Sequence, residues 1–429
     1  MISIIDHGAV GDGVTKNTAA FAKAIAAAKG NGAAVCVPAG VFLTGTINLQ
    51  GVSLYLEAGA VIKASSDLAD YPEQNFFHNE MGQLRALIVD LGHDHVSITG
   101  RGTIDLSGRS FYDTSVMNVP ETRVPMTPEQ VAECTYPIGQ RPGQCVFFYN
   151  CRNVEVSGIT LLDAPCWTLS LHSCESVRIH GLHIETDLNV PNDDGIHLCS
   201  CKCVTISDCH ISSGDDCIAL SCITDWDKPC EDVVITNCVL RSCSKAIVIG
   251  YIYSVVRNVL ISNCIIKESN RGLCIMCHDE CALVENVQVS NCIFDTRIRA
   301  GNWWGNGEPI FLMAAPQDMH LPFPQNPRRI TEAAIRNIYL NDIICRGENA
   351  MGIVGINGNI RNISLQNIRY ERKDSPNLPL KGHCFDLSPS RNQTNVDKDT
   401  GLLITGAKDV RLMNVDTGNW KIIHEEASQ

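Results

Sequence analysis

From residue 150 onward one short pattern recurs: a small, usually polar residue, then Val or Ile, any residue, and a second aliphatic residue. It reads Asn153-Val154-Glu155-Val156, Ser176-Val177-Arg178-Ile179 and Cys203-Val204-Thr205-Ile206. It continues as Asp232-Val233-Val234-Ile235, Asn258-Val259-Leu260-Ile261, Asn286-Val287-Gln288-Val289, Asn337-Ile338-Tyr339-Leu340 and Asn362-Ile363-Ser364-Leu365. The first aliphatic positions, from Val154 to Val287, are separated by 23, 27, 29, 26 and 28 residues. The gap of 51 to Ile338 reads as about two periods, and 25 follows to Ile363.

A period in the twenties, built from short alternating strands and Gly/Asn/Ser punctuation, is the signature of a solenoid. The Leu-x-x-Leu-x-Leu spacing of leucine-rich repeats is absent. β-Branched strands with no helical periodicity between them predict a single-stranded, right-handed parallel β-helix. Equal offsets from each repeat start then stack at about 4.8 Å. The all-β chain is expected to form one solenoid domain over residues 1–429, although length alone, at roughly 150 residues per domain, would suggest three. Thr15 to Lys29 is Ala-rich, with Phe21 and Ile25 at helical spacing and Thr15 or Asn17 as N-cap. A helix there would close the open end of the core, as terminal repeats require. Residues 372–402 are polar and rich in Pro, Asn, Asp and Lys, and predict a long loop at the rim.

The register also accounts for many of the 22 cysteines. Cys209, Cys238, Cys264 and Cys292 each lie five residues after their coil's first Val and follow Asp or Asn, which predicts an interior stack of small apolar thiols. Cys199-x-Cys201-x-Cys203 reads as packing along one strand face, not as a zinc motif. At about 5%, the cysteine content is below that of a disulfide scaffold. The N-terminus, Met1-Ile2-Ser3-Ile4-Ile5-Asp6, does not read as a signal peptide, so a cytoplasmic chain with reduced thiols is expected, or a secreted one if a signal sequence was removed. The net charge of −13 excludes the basic footprint of a nucleic-acid binder, and no apolar run approaches membrane-spanning length. Mean hydropathy is +0.01.

Two acidic clusters fall in consecutive coils: Asn192-Asp193-Asp194-Gly195 and Gly214-Asp215-Asp216. Counted from the repeat starts, Asp194 sits at offset 17 and the Asp pair at 11 and 12. The first coil must carry extra residues in its turn if Asp194, Asp215 and Asp216 are to share a wall. Glycoside hydrolysis needs one protonated and one ionised carboxyl across the bond, and crowding of like charges supplies that asymmetry. A calcium site is the competing reading of clustered Asp. Offset 12 holds Lys245 and then Arg271 in the following coils, placing two cations beside the acids. They either bind a substrate carboxylate or compensate the acidic trio. His197 and His278 are further candidates for the cleft.

These motifs resemble glycoside hydrolase family 28, the polygalacturonase family. Ile5-Asp6-His7-Gly8-Ala9-Val10-Gly11-Asp12-Gly13 with Asn17-Thr18 resembles the entry motif of the superfamily. The family's Asn-Thr-Asp-Gly is matched by Asn192 to Gly195 and its Gly-Asp-Asp by Gly214 to Asp216. The resemblance implies a right-handed β-helix that hydrolyses with inversion, with Asp215 as general acid and Asp194 and Asp216 activating water. Asn302-Trp303-Trp304-Gly305 through Glu308-Pro309 resembles a segment common in bacterial relatives, which puts Trp303, Trp304 and Glu308 on the substrate side. Tryptophans there suit sugar stacking or packing equally.

Departures from the family pattern are as specific. Its Gly-His-Gly falls on Ser244-Lys245-Ala246, its Arg-Ile-Lys on Cys274-Ile275-Met276, and the Lys after the Asp pair on Ser221. The cations that hold galacturonate are therefore replaced while the three acids remain. The expected function is inverting hydrolysis of pectin-derived or other plant oligosaccharides, exo-acting on imported oligomers. The sugar is either changed from galacturonate, or Lys245 and Arg271 take over carboxylate binding. Asn192, His197, Lys245, Arg271, His278, Trp303, Trp304 and Glu308 form the expected substrate side, with no cofactor and no metal. A polysaccharide lyase, or a non-catalytic carbohydrate-binding β-helix, is the alternative. An unsaturated product would reveal the lyase.

Overall fold

The computed structural model describes residues 1–29, 31–315, 334–388 and 393–426. Among the described residues, thirty-three strands join into one continuous sheet, and the strands of its coils pair in parallel with the coil before and the coil after. The chain is a right-handed parallel β-helix, with three strands to most coils.

The repeat register is the pairing register. Val154 pairs with Val177, and the ladder continues through Val204, Val233, Val259, Val287, Ile338 and Ile363. All eight are buried. The preceding small residue has positive φ throughout, from 52° at Asn362 to 59° at Ser176 and Asp232. This left-handed corner favours Asn, Asp and other short polar residues. On the outside these corners stack. Asn258 donates to Asp232 at 2.9 Å, Asn286 to Asn258 at 3.1 Å, Asn337 to Asn286 at 2.9 Å and Asn362 to Asn337 at 2.8 Å.

One expectation is corrected here. Val287 pairs directly with Ile338, so the 51-residue gap is one coil carrying a long excursion and not two coils. Periodicity cannot separate an inserted loop from an inserted coil when the loop is about one repeat long.

The thiol stack forms as the register requires. Cys209, Cys238, Cys264 and Cys292 are buried, and each Sγ donates to the carbonyl two residues back, at 3.2–3.3 Å. None of the 22 cysteines, all among the described residues, is joined in a disulfide, and Cys203 alone is exposed. Cys199, Cys201 and Cys203 do not share one strand face. They straddle the turn between strands Ile196–Cys199 and Lys202–Ser207, with Cys203 turned outward at φ 56°.

Helix α1, Thr18–Lys29, buries Ala20, Phe21, Ala24, Ile25 and Ala28, the i, i+1, i+4, i+5, i+8 stripe that faces the first coil. Burying Phe21 and Ile25 is worth about 1.5–3 kcal/mol each. Asn17 precedes the helix, but its side chain turns back, accepting from the Val10 N–H at 2.7 Å and donating to the Thr15 carbonyl at 2.7 Å. Of the expected rim loop at 372–402, residues 389–392 lie outside the described residues. The remainder includes a short helix, Leu378–Lys381, and an antiparallel pair, Cys384–Asp386 with Gln393–Asn395.

Candidate active site

One wall of the β-helix carries the chemistry. Its strands are β1 (Gln144–Tyr149), β2 (Trp167–His172), β3 (Ile196–Cys199), β4 (Ile218–Ser221), β5 (Lys245–Tyr251), β6 (Arg271–Cys277) and β7 (Glu308–Ala314). Ile196 pairs with Ile218 and Ile218 with Ile247. Counting back from these pairs, Asp194 and Asp216 stand side by side at the strand entrances, and Lys245 follows one coil on. The Gly195 N–H donates to the Asp216 carbonyl at 2.8 Å and the Cys217 N–H to the Lys245 carbonyl at 3.1 Å, fixing this row from the backbone. The turn before β3 does hold the extra residues that the offsets required.

Glycine is obligatory in both acidic motifs because backbone approaches closely. A Cβ at Gly195 would lie 2.6 Å from the Cys217 carbonyl oxygen, and one at Gly214 would lie 2.5 Å from that of Val190. Asp193, the spare acid of its motif, is fully buried and accepts from the Asp215 N–H at 2.8 Å and from the Thr186 hydroxyl. It therefore sets the position of the Asp215 backbone from behind.

Asp194, Asp215 and Asp216 open onto a cleft of roughly 480 Å³ together with Asn192, His197, Ser221, Lys245 and Trp304. Each acid is held differently. Asp194 Oδ2 meets His197 Nδ1 at 2.9 Å, and His197 Nε2 meets the Ser221 hydroxyl at 3.0 Å. The imidazole lies flat on Trp167, centroids 3.8 Å apart and planes 19° apart. Burial is the main reason its pKa falls to about 3. A neutral ring that donates from Nδ1 to the carboxylate and accepts from Ser221 at Nε2 satisfies both contacts. Asp216 is paired with Lys245 Nζ at 3.0 Å. Asp215 is half-buried, and Asn192 Nδ2 reaches it at 3.5 Å. Arg141 steadies Asn192 with a 3.0 Å bond and also donates to the Pro191 carbonyl at 2.6 Å.

Burial pushes the pKa of Asp194 and Asp216 up, and repulsion from Asp215 adds to it, while Lys245 opposes the rise. For Lys245, burial works against the charge, but Asp216 and Asp215 outweigh it and the ammonium is retained. Asp194 and Asp216 thus hold a proton to higher pH than separate carboxylates would.

Other expected residues are placed elsewhere. Arg271 pairs in register with Lys245, as counted, but it is sealed. Its Nε and Nη2 each donate to Glu308 at 3.1 Å, both side chains have no exposure, and Nη2 also reaches the Asp386 carbonyl at 2.7 Å. Arg271 and Glu308 therefore compensate each other behind the cleft instead of lining it. His278 is buried edge-on against Tyr251, centroids 5.7 Å apart, and does not line the cleft. Trp303 is buried, with its indole N–H on the Glu133 carbonyl at 2.7 Å. Trp304 faces the cleft, with Lys245 Nζ 4.5 Å from its ring centre and Tyr251 roughly parallel at 6.3 Å.

Sequence reasoning missed Trp167, Tyr251, Arg141, Glu80 and Met81. Trp167 could have been found by extending the acid register one coil back, since Leu169 pairs with Ile196. Glu80 and Met81 arrive from an excursion with no motif of its own.

His78, His172 and Cys199, all buried, have potential ligand atoms within 4.8 Å of one another. His78 Nδ1, however, accepts from the backbone N–H groups of Glu80 and Met81 at 3.1 and 3.0 Å, which puts its ring proton on Nε2. That nitrogen then offers a donor and not a lone pair, so the trio as arranged does not present three facing ligands.

Comparison with known proteins fits this wall. Residues 28–298, well over half of the chain, match the glycosyl hydrolases family 28. The chain belongs to that family. A probable polygalacturonase of Vitis vinifera is 31% identical over 239 residues, covering 53% of this chain and 45% of that protein. The chain spans about half the length of the curated relatives it matches. Among solved structures, the Yersinia enterocolitica family 28 exopolygalacturonase aligns over 99% of this chain and 77% of its own, with a TM-score of 0.71 and 18% identity. A hyperthermoactive exopolygalacturonase from Thermotoga maritima covers 86% and 87%, with a TM-score of 0.66 and 22% identity. At these identities the structural likeness concerns the fold.

Proposed function

We infer that this family 28 protein is an inverting, exo-acting glycoside hydrolase of pectin-derived or other plant oligosaccharides. The observation that carries the reading is three carboxylates from two adjacent coils in one cleft, each with a different support. Asp194 is oriented by His197 and Asp216 by Lys245, contacts that oppose the upward push of burial and suit both to positioning and deprotonating a water. Asp215 has the loosest contacts and is free to deliver a proton to the leaving-group oxygen, while water attacks from the opposite side of the sugar. Exo action is supported by an exopolygalacturonase of Zea mays, 27% identical over 230 residues.

The docked sugar is read as other than galacturonate. The family's cation positions carry Cys274 and Met276, Arg271 is committed to Glu308, and Lys245 is committed to Asp216. The same commitment of Lys245 disfavours a lyase, which needs a basic group free to accept a proton.

Asp215→Asn is expected to lower kcat by about 10²–10⁴-fold while oligosaccharide binding persists. Product anomers followed by NMR on an oligosaccharide panel should show inversion. Retention would overturn the mechanism, and unimpaired turnover by the variant would overturn the role of Asp215.

A further inference from the structure

Glu80 lines the cleft, yet it belongs neither to the wall nor to any recurring motif. It sits at the tip of the small antiparallel pair Phe77–His78 and Gly82–Gln83. The tip is pinned from two sides. Asn79 Nδ2 donates to the Ile223 carbonyl at 2.7 Å, and His78 lies buried beneath it, edge-on to Trp167 at 4.9 Å. Tyr251 donates its hydroxyl to Glu80 Oε1 at 3.3 Å.

Tyr251 is itself held at φ 123°, a conformation that costs a non-glycine residue free energy and persists only where surrounding packing enforces it. The residue before it must be glycine, because a Cβ at Gly250 would lie 2.2 Å from the Met276 carbonyl oxygen. The end of β5 is thus distorted in a way that brings the phenol to Glu80. Such strain, together with a pinned loop 171 residues away in sequence, goes beyond what closing a coil requires.

The charge inventory of the cleft gives this carboxyl its meaning. Glu80 joins Asp194, Asp215 and Asp216, and among the described lining residues Lys245 is the one cation, already paired with Asp216 and resting on Trp304. A carboxylate offers about four lone-pair sites, of which Tyr251 occupies one, so Glu80 retains capacity for sugar hydroxyls. Once Glu80 gives up its proton, above about pH 7, a uronate carboxylate in the same place would meet like charge, with the paired Lys245 as the one cation beside it.

We propose that Glu80, held by Tyr251, is a specificity-determining residue that accepts the hydroxyls of a neutral sugar and turns away a uronate. This rests on the cleft being a glycoside site, and it deepens that reading by naming the substrate class and the residue that selects it.

The test uses digalacturonate and its carboxyl-reduced, neutral counterpart, with the intact protein and with Glu80→Gln and Glu80→Lys. Thermal unfolding is recorded to confirm that both variants fold. At pH 8, where Glu80 is ionised, the parent should favour the neutral disaccharide by about 10-fold or more in kcat/KM, Glu80→Gln should shrink that preference, and Glu80→Lys should reverse it. The changes should fall on KM more than on kcat, because the group contacted does not react. A parent that favours digalacturonate, or a preference unmoved in both variants, overturns the proposal. If neither disaccharide is cleaved, calorimetric titration of Asp215→Asn with both separates the two readings. Binding of the neutral sugar that Glu80→Lys abolishes keeps the role of Glu80 and overturns the hydrolase. Equal binding of both sugars, or no binding, overturns the role of Glu80.

Discussion

Two ion pairs stand one above the other on the same wall, Asp216 with Lys245 and Arg271 with Glu308. They occupy the same register position on consecutive coils, and both are buried. Their environments differ. Asp216 and Lys245 open onto the cleft, whereas the residues after 372 fold over Arg271, with the Asp386 carbonyl accepting its third hydrogen bond and Phe311 lying 4.4 Å below the guanidinium. Their chemistry differs as well. An ammonium and a carboxyl can exchange a proton when their surroundings change, while a guanidinium stays charged. The pair whose cation can give up its proton faces the cleft, and the pair whose cation cannot is enclosed in the scaffold.

The largest expected effect comes from breaking the sealed pair. Glu308→Ala leaves a buried guanidinium without its counter-charge and should cost about 3–5 kcal/mol in denaturant unfolding, whereas Arg271→Met with Glu308→Leu should recover most of that loss. A Glu308→Ala protein of unchanged stability would show that the pair is not sealed. Breaking the open pair should do the reverse. Lys245→Met lets Asp216 take up a proton instead of remaining a buried charge, so stability should change little while kcat falls by about 10²-fold. A large stability loss with kcat preserved would make the two pairs equivalent.

The smallest effect is a pH dependence. Burial, reinforced by Asp215 and Asp216 and opposed by the Tyr251 hydrogen bond, raises the Glu80 pKa to about 7. The native protein then keeps a proton that the unfolded chain gives up near the ordinary value of 4.5. The resulting stabilisation is full below 4.5 and is lost as the pH rises through 7. Glu80→Gln removes this dependence, so its unfolding midpoint should gain on the parent's by about 1–2 °C between pH 5 and pH 8. A constant difference across that range would place Glu80 in a more solvated setting.

Much of the wall was legible because a solenoid converts sequence offset into spatial position. Asp216, Lys245 and Arg271 could be placed on one row from the spacing of Val204, Val233 and Val259 alone, whereas Asp194 joined it only by granting its coil extra residues in the turn. The same arithmetic placed the four stacked thiols. It failed where chain leaves the coils. The 51-residue gap from Val287 to Ile338 read as two coils, because what it carries beyond one coil is about one repeat long. Glu80 was invisible because nothing in its neighbourhood repeats. Arg271 was correctly placed and wrongly assigned to the substrate side, since register says which residues are adjacent and not which of them are covered.

The sequence by itself determined the β-helix, its register and the two acidic motifs. These follow from local rules: strand periodicity, left-handed corners at Asn, Asp and Ser, and stacking of equal offsets. Only the tertiary structure decided which charges meet solvent. That depended on excursions near residues 80, 300 and 386 folding back over the wall, contacts between segments up to about two hundred residues apart that no repeat encodes.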